Sequence, residues 1–578
     1  MSNKQIAKIL YEIGEILGAQ GIQFKPRAYQ RAAMTVETLN EELNGIYGRG
    51  GITAIDALPG IGASIAQKIV ELLETGELKY YNRLKKQFPA DIAELTSIEG
   101  LGPKTAAKLY QKLKIKNLSD LETAAKAGKI KNLPDFGEKT EANILRGIEF
   151  LKKNRGRMLL SEALHVAENI IRELQKIPGV KKIVFAGSLR RMQETIGDVD
   201  LLATSIKPKA LMDAFVGLPE VASVYAKGLT RASARLKIGV DADLRAVKPE
   251  VFGAALQYFT GDKQHNIEMR TLAGKMGYKL NEYGLWRGEK LIACETEEKI
   301  YEKLKMATPV PEIRTASGEI EAAKKYALPK LIGYNDILGD LQIQTNWTDG
   351  GNSIAEMAEV ARRMGYEYIA ITDHTKTLAM TGGLDEKKLA RQGKEIDKLN
   401  SKSKIQNPKF KILKSAEVNI LKDGSLDIKN EALAKLDIVS AAVHSNFNMT
   451  RSEMTERIVR AMQNPYLNIL FHPTGRIIGR RPAYQIDIGA VIAAAIKYGV
   501  ALEINAYPNR LDLKDEYIRK AVEAGAKLVI DTDAHDASHL AFMKYGVAQA
   551  RRGWAKKTDI LNTGSADELL KSLRTLKK

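Results

Sequence analysis

Across 578 residues the chain has one cysteine, Cys294, and only seven histidines. A single thiol excludes an intramolecular disulfide and any cysteine-based zinc cluster, so a metal site here must draw on His, Asp and Glu. Long apolar runs are also missing. No stretch of about 18 residues could span a bilayer, and the opening MSNKQIAKILYEIGEIL mixes Glu and Lys into an amphipathic helix, unlike a signal peptide. A cytoplasmic protein with no membrane partner is expected. Acidic residues are in deficit: 89 Lys and Arg stand against 70 Asp and Glu, a formal net charge of +19. Such a balance favours encounter with a polyanion, nucleic acid above all. The chain is too long for one core, and about three to five domains are expected.

Short helices fill the first 150 residues, where one pattern recurs: LPGIGASIAQKI from Leu58, IEGLGPKTAAKL from Ile98 and LPDFGEKTEANI from Leu133. Each is an apolar residue, a glycine-containing turn and a helix start. Two glycines let backbone N–H groups approach a phosphate oxygen closely without touching a base, which makes Gly60, Gly62, Gly100, Gly102 and the adjoining Lys104 candidate DNA contacts. Such turns also occur as plain packing corners between helices. The third copy has Asp135 in place of the first glycine. A carboxylate there opposes a phosphate, so a structural role is expected for that copy.

The next region reads KKIVFAGSLRRMQETIGDVDLLATS, from Lys181 to Ser205. An apolar strand runs into Gly187-Ser188, a turn whose amides and hydroxyl suit a triphosphate, with Arg190 and Arg191 adding charge. A second strand carries Asp198 and Asp200 at i and i+2, on one face. Further on, RLKIGVDADLRAV places Asp241 and Asp243 on one face of another strand. Carboxylates held together on rigid strands repel one another unless a hard cation such as Mg²⁺ sits between them. Three of them suit a two-metal site, one ion activating an attacking hydroxyl and the other neutralising a leaving pyrophosphate.

These residues resemble the palm of the family X DNA polymerases, which share the DNA polymerase beta core. The resemblance implies that Asp198, Asp200 and Asp243 hold Mg²⁺ or Mn²⁺, that Asp243 accepts the primer 3′-hydroxyl proton, and that Arg245 restrains it, with Asp241 peripheral. Gly187, Ser188, Arg191 and Gly197 would hold the triphosphate. YFTGDKQHNIEMR, from Tyr258, is similar to the family's sugar-pocket segment. It implies that Tyr258, Phe259 and Gly261 crowd the 2′ position, that Asn266 meets the base edge and that Arg270 touches the template. FKPRAYQRAA and GASIAQKI look like the family's small N-terminal domain, in which a Schiff-base lysine removes deoxyribose phosphate; Lys68 falls on that position. Ser64 stands where the animal enzyme has another lysine, which leaves Lys68 open between a lyase nucleophile and a phosphate contact.

From about residue 331 the chain alternates strands and helices, and the apolar runs end in polar residues: EYIAITDHT, FKILKSAEVNI, LDIVSAAVHS, LNILFHPTG, ALEINAYP and KLVIDTDAHD. Polar residues at the C-terminal ends of parallel strands mark the active face of an α/β barrel. His374, His444, His472 and His535 all stand there, beside Glu417 and Asp533. This half resembles the polymerase and histidinol phosphatase (PHP) domain, a phosphoesterase barrel of three divalent ions. The resemblance implies Asp349, His374, Glu417, His444, His472, Asp533 and His535 as ligands of Mn²⁺ or Zn²⁺, and a distorted barrel of the (β/α)7 type. The family's opening H-x-H reads Gln342-Ile343-Gln344. An amide offers one neutral oxygen where imidazole suits these ions better, so a depleted site with weakened 3′-to-5′ exonuclease is expected.

A multidomain α+β and α/β chain is expected: helical DNA-binding units at 1–85 and 86–150, a palm at 151–245, a thumb at 246–315, a linker at 316–330 and the PHP barrel at 331–578. The expected function is templated filling of short gaps in repair, with gapped or nicked duplex DNA and deoxynucleoside triphosphates as partners, by a monomer. Two rivals stay open: the barrel as the main enzyme, an exonuclease or abasic-site endonuclease, or a non-catalytic scaffold for DNA ends.

Overall fold

The computed structural model describes residues 1–578 apart from 2, 40, 59, 89, 99, 100, 155, 379, 380, 407–409 and 578. Helices dominate up to residue 154. α1 (Asn3–Ala19) buries Ile6, Leu10, Ile13 and Ile16 along one stripe, the i, i+4, i+7 spacing of an amphipathic helix. α2 (Ala63–Thr75) and α3 (Pro103–Leu113) begin directly after Gly62 and Gly102, both extended N-caps. The units expected at 1–85 and 86–150 share one hydrophobic core that runs from Ile6 to Ile148.

The middle body is a five-stranded sheet formed by β1 (Val180–Phe185), β2 (Asp198–Ser205), β3 (Val221–Lys227), β4 (Arg231–Leu236) and β5 (Asp241–Val247), in the order β1-β2-β5-β4-β3. Only β2 and β5 are parallel, and their register sets Asp198 opposite Asp241 and Asp200 opposite Asp243. Between β1 and β2 lies the short helix α4 (Gly187–Arg190).

A smaller body follows, with α5 (Phe252–Thr260) and α6 (Lys263–Lys275) packed on a three-stranded sheet. Asp262 caps α6 by accepting from the His265 N–H at 2.8 Å. The stretch 316–330, expected as a linker, instead contributes α7 (Glu319–Lys324). Its Ile320 and Ala323 join the core of this body, and its buried Glu319 accepts from His265 Nδ1 at 2.6 Å. A buried carboxylate needs such a partner, and the partner lies 54 residues away in sequence.

Glu297 ties this body to α4. Its carboxylate accepts from Arg190 Nη2 at 2.6 Å and from Arg314 Nη1 at 2.5 Å, with Arg314 fully buried. Burial opposes the Glu297 charge, but the two guanidinium groups hold its pKa below the ordinary glutamate value. Glu297→Gln leaves two cations short of their anion and is expected to destabilise the fold by about 3–5 kcal/mol in denaturant titrations near neutral pH. Because the folded-state pKa is lowered, this contribution is present above the ordinary glutamate value and is lost as pH falls through the folded one. The variant and parent should therefore converge in acid.

The last body is a barrel of parallel strands: β6 (Gly339–Ile343), β7 (Tyr368–Ile371), β8 (Lys411–Lys414), β9 (Glu417–Asn419), β10 (Ser440–Ala442), β11 (Ile469–Leu470), β12 (Ala501–Asn505) and β13 (Leu528–Asp531). β8 and β9 are one stave interrupted at Ser415 and Ala416, which leaves seven. Bridges between His374 and Glu417 and between Ile343 and Ala534 close the ring. Leu511 and Tyr545 of this barrel lie in the hydrophobic core of the middle sheet.

Candidate active sites

On the middle sheet, the Gly-Ser turn presses against β2. Gly187 has φ +57, and a Cβ on it would lie 2.0 Å from Asp200 Oδ2, so only glycine fits. Burial, then the charges of Asp198 and Asp243, push the Asp200 carboxyl up to about 7, against the pull of Arg191 and Arg245. This is the repulsion expected of carboxylates made to share a cation, and the donor set suits a hard divalent ion. Ser188 Oγ and Arg191 Nε are buried without a hydrogen-bond partner, while Arg191 Nη1 donates to Thr260 O. Two unanswered polar atoms beside the carboxylates suit an incoming anion. The charge of Arg190, expected to add to that of the turn, is taken up by Glu297.

Among the described residues, the groups of three ligand atoms within 4.8 Å of one another lie in the barrel, and Asp198, Asp200 and Asp243 are not among them. Asp243 is held by the neighbouring strand, accepting from Ser233 Oγ and, at 3.3 Å, from Arg231 Nη2. Arg245, expected to restrain Asp243, stacks over the Phe259 ring 4.6 Å from its centroid. Asp241 pairs with Arg235 at 2.9 Å. Tyr258 and Phe259 meet edge to face, with centroids 5.2 Å apart. Gly261, at φ +65, lies beside Arg191, and Asn266 Nδ2 donates to Tyr258 O at 2.7 Å. Gly197 packs near Arg157, and Arg270 is exposed on α6.

In the barrel, Glu417 is central. Its Oε2 accepts from Gln344 Nε2 at 2.8 Å and Gln342 Nε2 at 3.2 Å; its Oε1 lies 2.9 Å from both His444 Nε2 and His472 Nε2. Burial opposes its charge, but His374, His444 and His472 hold the carboxyl well below the usual range. Gln342 Oε1 in turn accepts from Asn505 Nδ2 at 3.0 Å, and Asp533 pairs with Arg510 Nε at 3.1 Å. The other half is less bound. Donor atoms of Asp349, His374 and His535 lie within 4.8 Å of one another, as do those of His374, Glu417 and His444. Asp349 Oδ1 and His374 Nδ1 are buried with no hydrogen-bond partner. A carboxylate and two imidazoles so placed suit Mn²⁺ or Zn²⁺, whereas the two amides turn N–H groups toward Glu417, and of their oxygens Gln344 Oε1 alone is left without a hydrogen-bond partner, a single neutral donor on that side.

Residues 255–315 match the DNA polymerase beta thumb family, residues 1–78 a helix-hairpin-helix domain and residues 92–149 a SAM-like helix-hairpin-helix tandem. The chain is 37% identical over 574 residues to the DNA polymerase/3′-5′ exonuclease PolX of Bacillus subtilis (strain 168), covering 98% of this chain and 99% of the relative. The chain belongs to the PolX family. The C-terminal part is also 29% identical over 236 residues to a probable phosphatase of Thermoanaerobacter sp. (strain X514), covering 38% of this chain and 88% of that one.

In this PolX-family chain the helical turns differ among the copies. Gly60 takes φ +72, and a Cβ there would meet Arg31 at 2.7 Å. Asp135 takes the same left-handed turn at φ +71 and pairs with Lys108. The third copy thus keeps the turn but fills it with a neutralised carboxylate. Gly100 lies outside the described residues; Gly102 and Lys104 are exposed at the start of α3. Lys68 Nζ donates to Ser64 O at 2.8 Å and to Ser64 Oγ at 3.0 Å and lies 5.3 Å from the Tyr80 ring centroid. Burial lowers its pKa, Glu71 opposes the shift and Lys25 adds to it. Sequence reasoning missed Ser233, Arg231, Asn505 and Arg510. Asn505 ends its strand in ALEIN, so the strand-end argument that found the histidines would have reached it; the others depend on pairing register or loop path.

Proposed function

We propose that the chain fills short gaps in duplex DNA by templated nucleotidyl transfer, acting as a monomer in a prokaryotic cytoplasm, with a barrel whose 3′-to-5′ exonuclease is weakened. The observation that carries the polymerase reading is the parallel pairing of β2 and β5, which puts Asp200 beside Asp243 against a turn only glycine can make. Asp198, Asp200 and Asp243 would hold Mg²⁺ or Mn²⁺, which when bound neutralises developing charge and acidifies the primer hydroxyl. Ser188 and Arg191 receive the triphosphate, and Asp243 accepts the 3′-hydroxyl proton while Ser233 and Arg231 fix its orientation. Tyr258, Phe259 and Gly261 line the sugar, Asn266 the base edge, and Arg270 the template. Gly60, Gly62, Gly102 and Lys104 grip backbone, with Lys68 at a 5′-phosphate.

One gel tests this. A 5′-labelled primer on singly gapped DNA should lengthen to fill the gap with all four deoxynucleotides and Mg²⁺ or Mn²⁺, and should stay nearly intact without nucleotides. Strong shortening in the empty lane, abolished by Asp533→Ala, would make the barrel the main enzyme. That second reading has its own support in the unpartnered Asp349 and His374 atoms. Backbone binding by a chain of net charge +19 should also weaken steeply with salt, by a factor on the order of 10³ between about 50 and 200 mM in filter-binding titrations. A flat response would remove the backbone clamp.

A further inference from the structure

A barrel arginine, Arg476, reaches the loop that follows the Gly187-Ser188 turn. Glu194 follows Arg191 by three residues, in a loop stitched back to the turn by Gln193 N–H donating to Ser188 O at 3.1 Å. From the barrel, Arg476 donates Nη2 to Glu194 Oε2 at 2.7 Å and Nη1 to Glu194 Oε1 at 3.2 Å. The same guanidinium donates Nε to Arg510 O at 2.9 Å and Nη2 to Leu511 O. Its side chain is only 11% exposed. The loop it holds faces both ways: Leu511 is buried in the middle-sheet core, and Arg510 turns its own guanidinium onto Asp533 in the barrel centre. A second barrel residue, Arg552, reaches Met192 O at 3.4 Å.

Contacts between domains of one chain are usually modest and permit relative motion. A nearly buried bidentate arginine–carboxylate pair is different, because its two parallel bonds fix orientation as well as distance. We infer that Arg476, a barrel residue, is a positioning residue of the nucleotide site: it fixes Glu194, and through the 192–194 loop the aim of Ser188 and Arg191. Gln342 and Gln344 leave this role untouched, so the barrel serves polymerisation whatever it hydrolyses. The inference rests on the assignment of Ser188 and Arg191 to the triphosphate.

The test is a double-mutant cycle in the full chain, with Arg476→Ala, Glu194→Ala and their combination, read as kcat and KM for deoxynucleotide on singly gapped DNA. Each single change should raise KM by about three- to ten-fold with kcat altered less than about two-fold, and the pair should be no worse than either alone. Arg476→Lys, which keeps charge but loses the fork, should fall between. An unchanged KM in Arg476→Ala, or single effects that multiply in the pair, overturns the inference. If an alanine variant fails to fold, the cycle with Arg476→Lys and Glu194→Gln is judged by the same rule. Equilibrium binding of a fluorescent deoxyadenosine triphosphate analogue separates the two levels. An unmutated chain that binds nucleotide but extends no primer defeats the polymerase reading alone, and the variants still rank by affinity; one that binds none defeats both.

Discussion

Asp200→Asn is expected to lower gap filling by a factor on the order of 10³ and at the same time to make the metal-free protein more stable. The two effects have one cause. Asp200 is pressed against Gly187 and flanked by Asp198 and Asp243, and its carboxyl is pushed up to about 7. A raised folded-state pKa means that this group favours the fold fully below its ordinary value near 3.8. The contribution is lost as pH rises through about 7. In chelator, the parent should therefore lose stability on the order of a few kcal/mol over that window, and the asparagine variant should not. Thermal melts at several pH values, with primer extension on the same preparations, check both halves. Lower activity with a parallel loss of stability would show a damaged fold in place of a removed charge.

The double change Gln342→His with Gln344→His is expected to raise Mn²⁺-dependent shortening of a 3′ end by at least about 100-fold. Both amides now donate to a single oxygen of Glu417, and Asn505 occupies the free oxygen of Gln342. Imidazoles at the same two positions present lone pairs in place of N–H groups and release Glu417 from two of its donors. Counting bound Mn²⁺ by native mass spectrometry should give more ions per chain in the variant than in the parent. Each single reversion should fall short of the pair, because one remaining amide still points its N–H at the carboxylate. No gain in either ion count or shortening would mean that the amides are not what limits the barrel.

Local patterns made much of this legible. Alternation along a strand is enough to place Asp198 with Asp200 and Gln342 with Gln344, because the period of two needs no tertiary information. Strand-end polarity gathered the four barrel histidines for the same reason. What escaped depends on register or on partners distant in sequence. Nothing in RASARL says that Ser233 will face Asp243 across a strand pair, or that Arg245 will turn away to Phe259. The stretch around Glu319 reads as a linker, and what makes it part of a core lies far off in sequence: the small body that buries Ile320 and Ala323, and a buried histidine 54 residues away. The charge that Arg190 brings to the Gly-Ser turn gives no sign that Glu297, 107 residues on, takes it up.

That same Glu297 clamp bears on how the molecule can move. Arg190 belongs to the Gly187–Arg190 turn, while Glu297 and Arg314 belong to the small body, and the carboxylate is only 7% exposed. Swinging the small body alone would strand a charge away from water, so the turn and the small body must pivot as a single lever, with bending confined to segments outside the clamp.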